Sequence, residues 1–111
     1  MYNYKKHLIS ESVKIKEALL ILDKLADDAI LFVLNNEQQL IGSLTYGDVR
    51  RGLLKKLEID DLVKLFINGN PKCIRKDNYN IKDVIELRNN NLKVIPIVDK
   101  YKKVLNIQKL N

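Results

Sequence analysis

Apolar positions follow two rhythms along this chain. Ile15, Ala18, Leu19 and Leu22 are spaced i, i+3, i+4 and i+7, the period of a helix with one buried face. Before them, Leu8-Ile9-Ser10 reads as a short strand. After them comes the run Ala29-Ile30-Leu31-Phe32-Val33-Leu34, then a polar turn, Asn35 to Gln39, and a second short run at Leu40-Ile41. Such runs, bounded by turn residues, read as buried strands. From Tyr46 to Asn68 the spacing predicts helix again. Val49, Leu53 and Leu57 form one face, and a shorter helix from Asp60 or Asp61 carries Leu62, Leu65 and Phe66 inward. Asn68-Gly69-Asn70-Pro71 then ends the helical stretch.

The second half repeats this order. Cys73-Ile74-Arg75 corresponds to the opening strand. Asn80 is placed to cap a helix with an inner face of Ile81, Val84 and Ile85, and Asp83 stands where a capping box needs it. Residues 28–47 align with 92–111 at an offset of 64 without a gap, pairing Leu31 with Ile95, Val33 with Ile97 and Leu40 with Val104. The helices align at an offset of 66, Ile15 with Ile81 and Leu19 with Ile85. The chain is therefore a duplicated strand–helix–strand–strand unit. Each copy is too small to bury a good core alone, so one domain of two repeats packed sheet to sheet is expected.

Composition fits that picture. The 111 residues are 46% apolar and 31% charged, enough for a core inside a solvated shell and too apolar for disorder. No apolar run approaches the roughly 18 residues of a membrane helix, and no apolar segment of signal-peptide length follows Met1-Tyr2-Asn3-Tyr4-Lys5-Lys6. A cytoplasmic protein with no membrane partner is the expectation. The net charge of +6 invites a nucleic-acid reading, but basic and acidic residues interleave, and five Tyr and two Phe form no stacking platform. Nucleic acid is accordingly not expected as a partner.

Dedicated chemistry is sparse. Cys73, the single cysteine, can form neither an internal disulfide nor a zinc site by itself, and reads as a small buried hydrophobe on a strand. His7 has no identifiable acid or nucleophile as partner, so surface or core is the better reading than acid–base work. No serine lies in a nucleophile-elbow context, and no phosphate-loop or zinc-protease motif is present. The sequence supplies no catalytic residue and no metal site.

Three features together carry a family resemblance: Gly42-Ser43-Leu44-Thr45-Tyr46-Gly47-Asp48, the strand Ile95-Pro96-Ile97-Val98-Asp99, and the order of the repeat. The chain resembles a tandem pair of CBS domains, a Bateman module, from about Leu8 to Asn111. That resemblance implies an α/β (α+β) fold of two βαββ-type units facing each other with pseudo-twofold symmetry. Residues 1–66 would form the first repeat with an N-terminal arm and linking helices. Residues 67–111 would form the second, cut before its last helix.

The stretch Thr45-Tyr46-Gly47-Asp48-Val49-Arg50-Arg51-Gly52-Leu53-Leu54 resembles, more narrowly, the CBS pair preceding sugar-phosphate nucleotidyltransferase domains. It also resembles the pair of arabinose-5-phosphate isomerase-like enzymes. Either implies a regulatory module without an active site of its own, fused to a catalytic domain, joined as a homodimer and requiring no cofactor. AMP, ADP or ATP is the implied ligand.

By the same resemblance Thr45 contacts a nucleotide phosphate, Asp48 accepts from ribose hydroxyls, and Ile9 and Ile30 wall the adenine slot. The chemistry is sound, because a carboxylate suits a vicinal diol and a helix start offers free N–H groups to phosphate. Thr45 and Asp48 equally make a capping-box pair that needs no ligand, and Ile9 and Ile30 are equally ordinary core. Arg51 is a candidate for bidentate phosphate contact or for pairing with a nearby carboxylate. Its neighbour four residues on, Lys55, offers no partner. In the second copy Asn106 stands for Gly42 and Lys109 for Thr45, so at most one nucleotide site per chain is expected. The rival reading is an oligomerisation module that binds no small molecule.

Overall fold

The computed structural model describes residues 3–90 and 92–110. The ends of the expected arm and of the second repeat, Met1, Tyr2 and Asn111, lie outside the described residues, as does Asn91. The chain divides into two compact units, residues 1–71 and 72–111.

The first unit contains β1 (Leu8–Ser10), α1 (Ile15–Leu25), β2 (Leu31–Leu34), β3 (Leu40–Leu44) and α2 (Tyr46–Leu54), with short 3-10 turns at Tyr4–His7, Ala26–Asp28 and Val63–Leu65. Its sheet runs β1-β2-β3, with β1 parallel and β3 antiparallel to β2. The second unit has β4 (Ile74–Arg75), α3 (Ile81–Asn89), β5 (Val94–Val98) and β6 (Val104–Lys109) in the order β4-β5-β6, with the same directions.

The duplication extends to atomic detail. Leu31 pairs with Leu44 and Ile95 with Gln108, while Leu34 pairs with Leu40 and Val98 with Val104, so the offset of 64 holds across both hairpins. Each hairpin shifts register at the corresponding place, between Val33 and Leu34 and between Ile97 and Val98. Each turn is tied by the same side-chain acceptor. Asn35 Oδ1 accepts from the N–H groups of Glu37 and Gln39, and Asp99 Oδ1 accepts from those of Tyr101 and Lys103. Both turns then need one left-handed residue, Gln38 at φ 65° and Lys102 at φ 66°. This is the three-residue hairpin loop with a bulge at its end.

The core of the first unit joins the expected helix face to the strands. Ile15, Ala18 and Leu22 of α1 pack with Ile9, Leu31, Val33, Leu44, Val49, Val63 and Phe66. Leu31 and Val33 share one face of β2, as period-two alternation requires, and Phe32 on the opposite face is buried as well. His7 is buried, its Nδ1 donating to the Ile30 carbonyl oxygen at 2.9 Å.

Four expectations need correction. The helix from Tyr46 stops at Leu54, because Lys56 adopts φ 75°, Lys56 N–H bonds Leu53 O, and Leu57 N–H bonds Gly52 O. Those two bonds form a Schellman close with lysine in the position glycine usually fills. Within the helix Gly52, against Phe66, and not Leu53 faces the core, and beyond the helix Val63 and Phe66 are buried while Leu65 is 53% exposed.

The second correction concerns α3, whose expected inner face is open: Ile81 is 65% exposed, Ile85 is also exposed, and only Val84 and Leu87 are half-buried. Thirdly, the Asn80 side chain caps through Lys82 N–H rather than in a box with Asp83. Lastly, Cys73 lies before β4, half-buried, because pairing with β5 begins only at Ile74.

Candidate functional site

The chain turns sharply between β3 and α2, and the expected site residues gather there. Thr45 has an extended backbone (φ −123°, ψ 171°), the geometry of an N-cap. Its Oγ1 accepts from Asp48 N–H at 3.4 Å, while Asp48 Oδ2 accepts from Thr45 N–H at 2.9 Å and from Thr45 Oγ1 at 3.1 Å. The capping box is complete. The second carboxylate oxygen, Asp48 Oδ1, accepts from Arg51 Nη2 at 2.7 Å. That pair is absent from a reading restricted to neighbours four residues on, since it spans three. The Asp48 side chain is 11% exposed and that of Arg51 58%, so the pair presents its guanidinium end to solvent.

Arg51 reaches back along the helix, as long helical side chains do, over the turn N-terminal to its own Cα. Its guanidinium lies over the bare Cα of Gly47, where an added Cβ would sit 3.2 Å from Nη1. From this pair a groove of about 350 Å³ runs along α2, lined by Asp48, Arg51, Gly52 and Lys55 on one side. Leu57, Leu65, Phe66, Ile67 and Asn68 line the other. Positions 48, 51, 52 and 55 share one helix face, a spacing visible in the sequence. The opposite wall comes from a returning segment that only the fold reveals. Asn68 exchanges two backbone hydrogen bonds with Ser43 of β3, and Gly42 is needed beside it, since a Cβ there would lie 2.7 Å from Ile67 Cδ1 and 2.9 Å from Asn68 O.

Asp48 thus bonds Thr45 through one carboxylate oxygen and Arg51 through the other, and of the three only Asp48 and Arg51 line the groove. Ile9, by contrast, is a buried member of the core on β1. Ile30 is half-buried just before β2, its carbonyl engaged by His7. Neither isoleucine lines the groove. In the second unit Asn106, at the place of Gly42, is exposed, and its Oδ1 accepts from the Ile107 N–H, so nothing there requires glycine. No cluster of three or more His, Cys, Asp or Glu able to hold a metal occurs among the described residues. No helix among them is long and apolar enough to cross a membrane.

No family model matches the sequence. Among curated proteins the chain is similar to an uncharacterised protein of Helicobacter pylori strain J99, 34% identical over 106 residues and covering 94% of this chain. Its counterpart in strain 26695 is 32% identical over the same length. The chain spans about a third (32%) of the length of these relatives.

Solved structures give a consistent fold. A CBS domain pair/ACT domain protein from Thermotoga maritima superposes with a TM-score of 0.75 at 15% identity, over 97% of this chain and 84% of that one. A CBS domain protein from Pyrobaculum aerophilum complexed with AMP gives 0.69 at 16% identity, over 93% and 79%. The cytosolic domain of the Mg2+ channel MgtE in complex with ATP gives 0.70 at 20% identity, over 97% and 43%. Two three-stranded sheets with the same strand order, each carrying its helix, make this chain α+β with the fold of the CBS domain pairs.

Proposed function

We propose that the chain is a regulatory module that binds an adenine nucleotide at the start of α2 and modulates a catalytic domain in the same protein. The observation that carries this reading is the meeting of Thr45 Oγ1, the Asp48 carboxylate and the Arg51 guanidinium at one helix start beside a groove. A helix N-terminus and a guanidinium favour a phosphate, and a carboxylate favours a ribose diol. AMP and ATP bound to proteins of the same fold support the ligand class. Ile9 and Ile30 would flank the base. One site per chain is the reading because Asn106 and Lys109 stand in the second repeat where Gly42 and Thr45 stand in the first. The repeats would span 1–66 and 67–111, in a cytoplasmic homodimer.

The resemblance of Thr45–Leu54 to the pair preceding sugar-phosphate nucleotidyltransferases makes such an enzyme the proposed partner domain. Regulation would work by population shift: the nucleotide favours one arrangement of the protein to the extent that it binds that arrangement better.

Thermal unfolding and calorimetric titration with AMP, ADP and ATP test the reading. One nucleotide at 100 times its Kd should stabilise the fold by about 2.7 kcal/mol. Asp48→Asn should abolish that gain while the fold persists, because the amide oxygen can still accept from Thr45 N–H. No saturable effect from any adenine nucleotide would overturn it. The complete capping box and the exposed Leu20, Tyr46, Leu53 and Leu54 of the two helices favour a second reading, an oligomerisation module without ligand. An assembly mass above that of one chain, together with no saturable effect of any adenine nucleotide on unfolding, would favour that second reading.

A further inference from the structure

Gly47 occupies the second position of α2, where its backbone imposes no need for glycine. No glycine among the described residues has a left-handed φ. A glycine inside a helix costs stability relative to alanine, so its presence here needs another reason. The space above its Cα is filled by the Arg51 head: a Cβ would lie 3.2, 3.4 and 3.6 Å from Nη1, Nη2 and Cζ. The guanidinium therefore lies over Gly47 in the first turn of α2, bonded to Asp48 Oδ1 at 2.7 Å. A cation at the positive end of a helix is unfavourable on its own account. One carboxylate offsets it, and an arriving anion would be met by both the guanidinium and the helix start.

We propose that Gly47 is a positioning residue, whose missing side chain holds Arg51 over the start of α2 so that the site selects a phosphorylated nucleoside over the bare nucleoside. The proposal rests on the nucleotide reading above. Asp48, engaged by Thr45 and Arg51 in the free protein, would turn its oxygens to the ribose as the phosphate takes over the guanidinium.

The test is the ratio of AMP affinity to adenosine affinity, measured by calorimetry on the whole chain, with circular dichroism to confirm folding. The unaltered chain should prefer AMP by about tenfold or more, the range of a charged hydrogen bond. Arg51→Gln should erase most of that preference and leave adenosine binding in place. Gly47→Leu should do the same by displacing the guanidinium, and the double variant should lose no more than either single one. Gly47→Met, also a good helix former, serves if the leucine variant fails to fold. An unchanged ratio in the Gly47 variants, or additive losses in the double variant, overturns the proposal. Equal binding of AMP and adenosine by the unaltered chain overturns it while leaving the nucleotide reading intact. Binding of neither overturns both.

Discussion

Gly52 of α2 lies against the ring of Phe66 so closely that a methyl group on the glycine would fall on ring atoms Cδ2 and Cε2. Phe66 is a buried member of the core and cannot swing aside freely. The contact sets the spacing between α2 and the segment returning toward β3. Gly52→Ala should therefore cost about 1–3 kcal/mol through overpacking, net of its better helix propensity. The urea midpoint should fall at unchanged m-value. Gly47→Ala is the control: its methyl meets only the movable end of Arg51, so stability should hold or rise by up to about 1 kcal/mol. Equal effects at the two glycines would refute the assigned contact.

Thr45 supplies the cap of α2, and its removal has a separate, ligand-free signature. Thr45→Ala should destabilise the fold by about 1 kcal/mol, and Thr45→Ser should restore most of it, since serine keeps the acceptor. Denaturant unfolding without nucleotide decides this. A Thr45→Ala variant as stable as the unaltered chain would show that the box contributes nothing.

The two hairpins offer a paired test of the duplication. Gln38 and Lys102 sit at φ 65° and 66° in matching turns. Residues with a Cβ pay for that conformation and glycine does not. Gln38→Gly and Lys102→Gly should each raise stability, by about 0.5–1 kcal/mol. Amide exchange within the affected hairpin should slow. A loss at either position would mean that the turn there is set differently.

Acid sensitivity should be weak and removable by salt. Lys16 Nζ lies 2.8 Å from Asp60 and Arg75 Nη2 lies 2.9 Å from Asp77. The hydrogen bond from Lys16, then its charge, hold Asp60 below the usual carboxylate range, and the hydrogen bond from Arg75 does the same for Asp77. The unfolded chain thus takes up protons first as pH falls. What these pairs contribute is present above about pH 4 and lost below it. Lys16 is raised by the same Asp60 contact, so its share is present below about pH 10 and lost as pH rises through its folded value. All four groups are exposed, so Asp60→Asn should flatten the acid limb only slightly at low ionic strength and not at all in about 1 M salt. A large effect that persists in salt would contradict the exposed geometry.

Much of this was legible in the residues themselves. The offset of 64 between the hairpins, the buried stripe Ile15, Ala18 and Leu22, and the box between Thr45 and Asp48 are all local patterns, and local patterns survive folding. What failed depended on distant partners. Val49, Leu53 and Leu57 have the spacing of a core face, and Val49 and Leu57 do pack on the core, but Leu53 is exposed and Phe66, far along the chain, occupies the space over Gly52 instead. The stripe Ile81, Val84 and Ile85 has helical periodicity, yet Ile81 and Ile85 are exposed and Val84 only half-buried, because periodicity describes a face and not what covers it. The groove wall at Leu65–Asn68 likewise belongs to tertiary placement, whereas the Arg51–Asp48 bond is local, three residues apart on one helix, and is open to a sequence reading that includes that spacing.

The start of α1 has no side-chain cap. Ile15 N–H bonds to Asp61 O and Lys16 N–H to Ile59 O, while Val63 N–H and Lys64 N–H return to Val13 O and Glu11 O. Every one of these partners is main chain, so these four bonds are written in the path of the polypeptide more than in the identity of its residues. Substitutions at 59 and 64 that keep the main-chain N–H can accumulate without uncapping the helix, while Asp61 also ties the turn through its side chain on the Glu58 N–H. Inserting or deleting a single residue there would strip several bonds at once. This stretch should drift freely in spelling among descendants while keeping its length fixed.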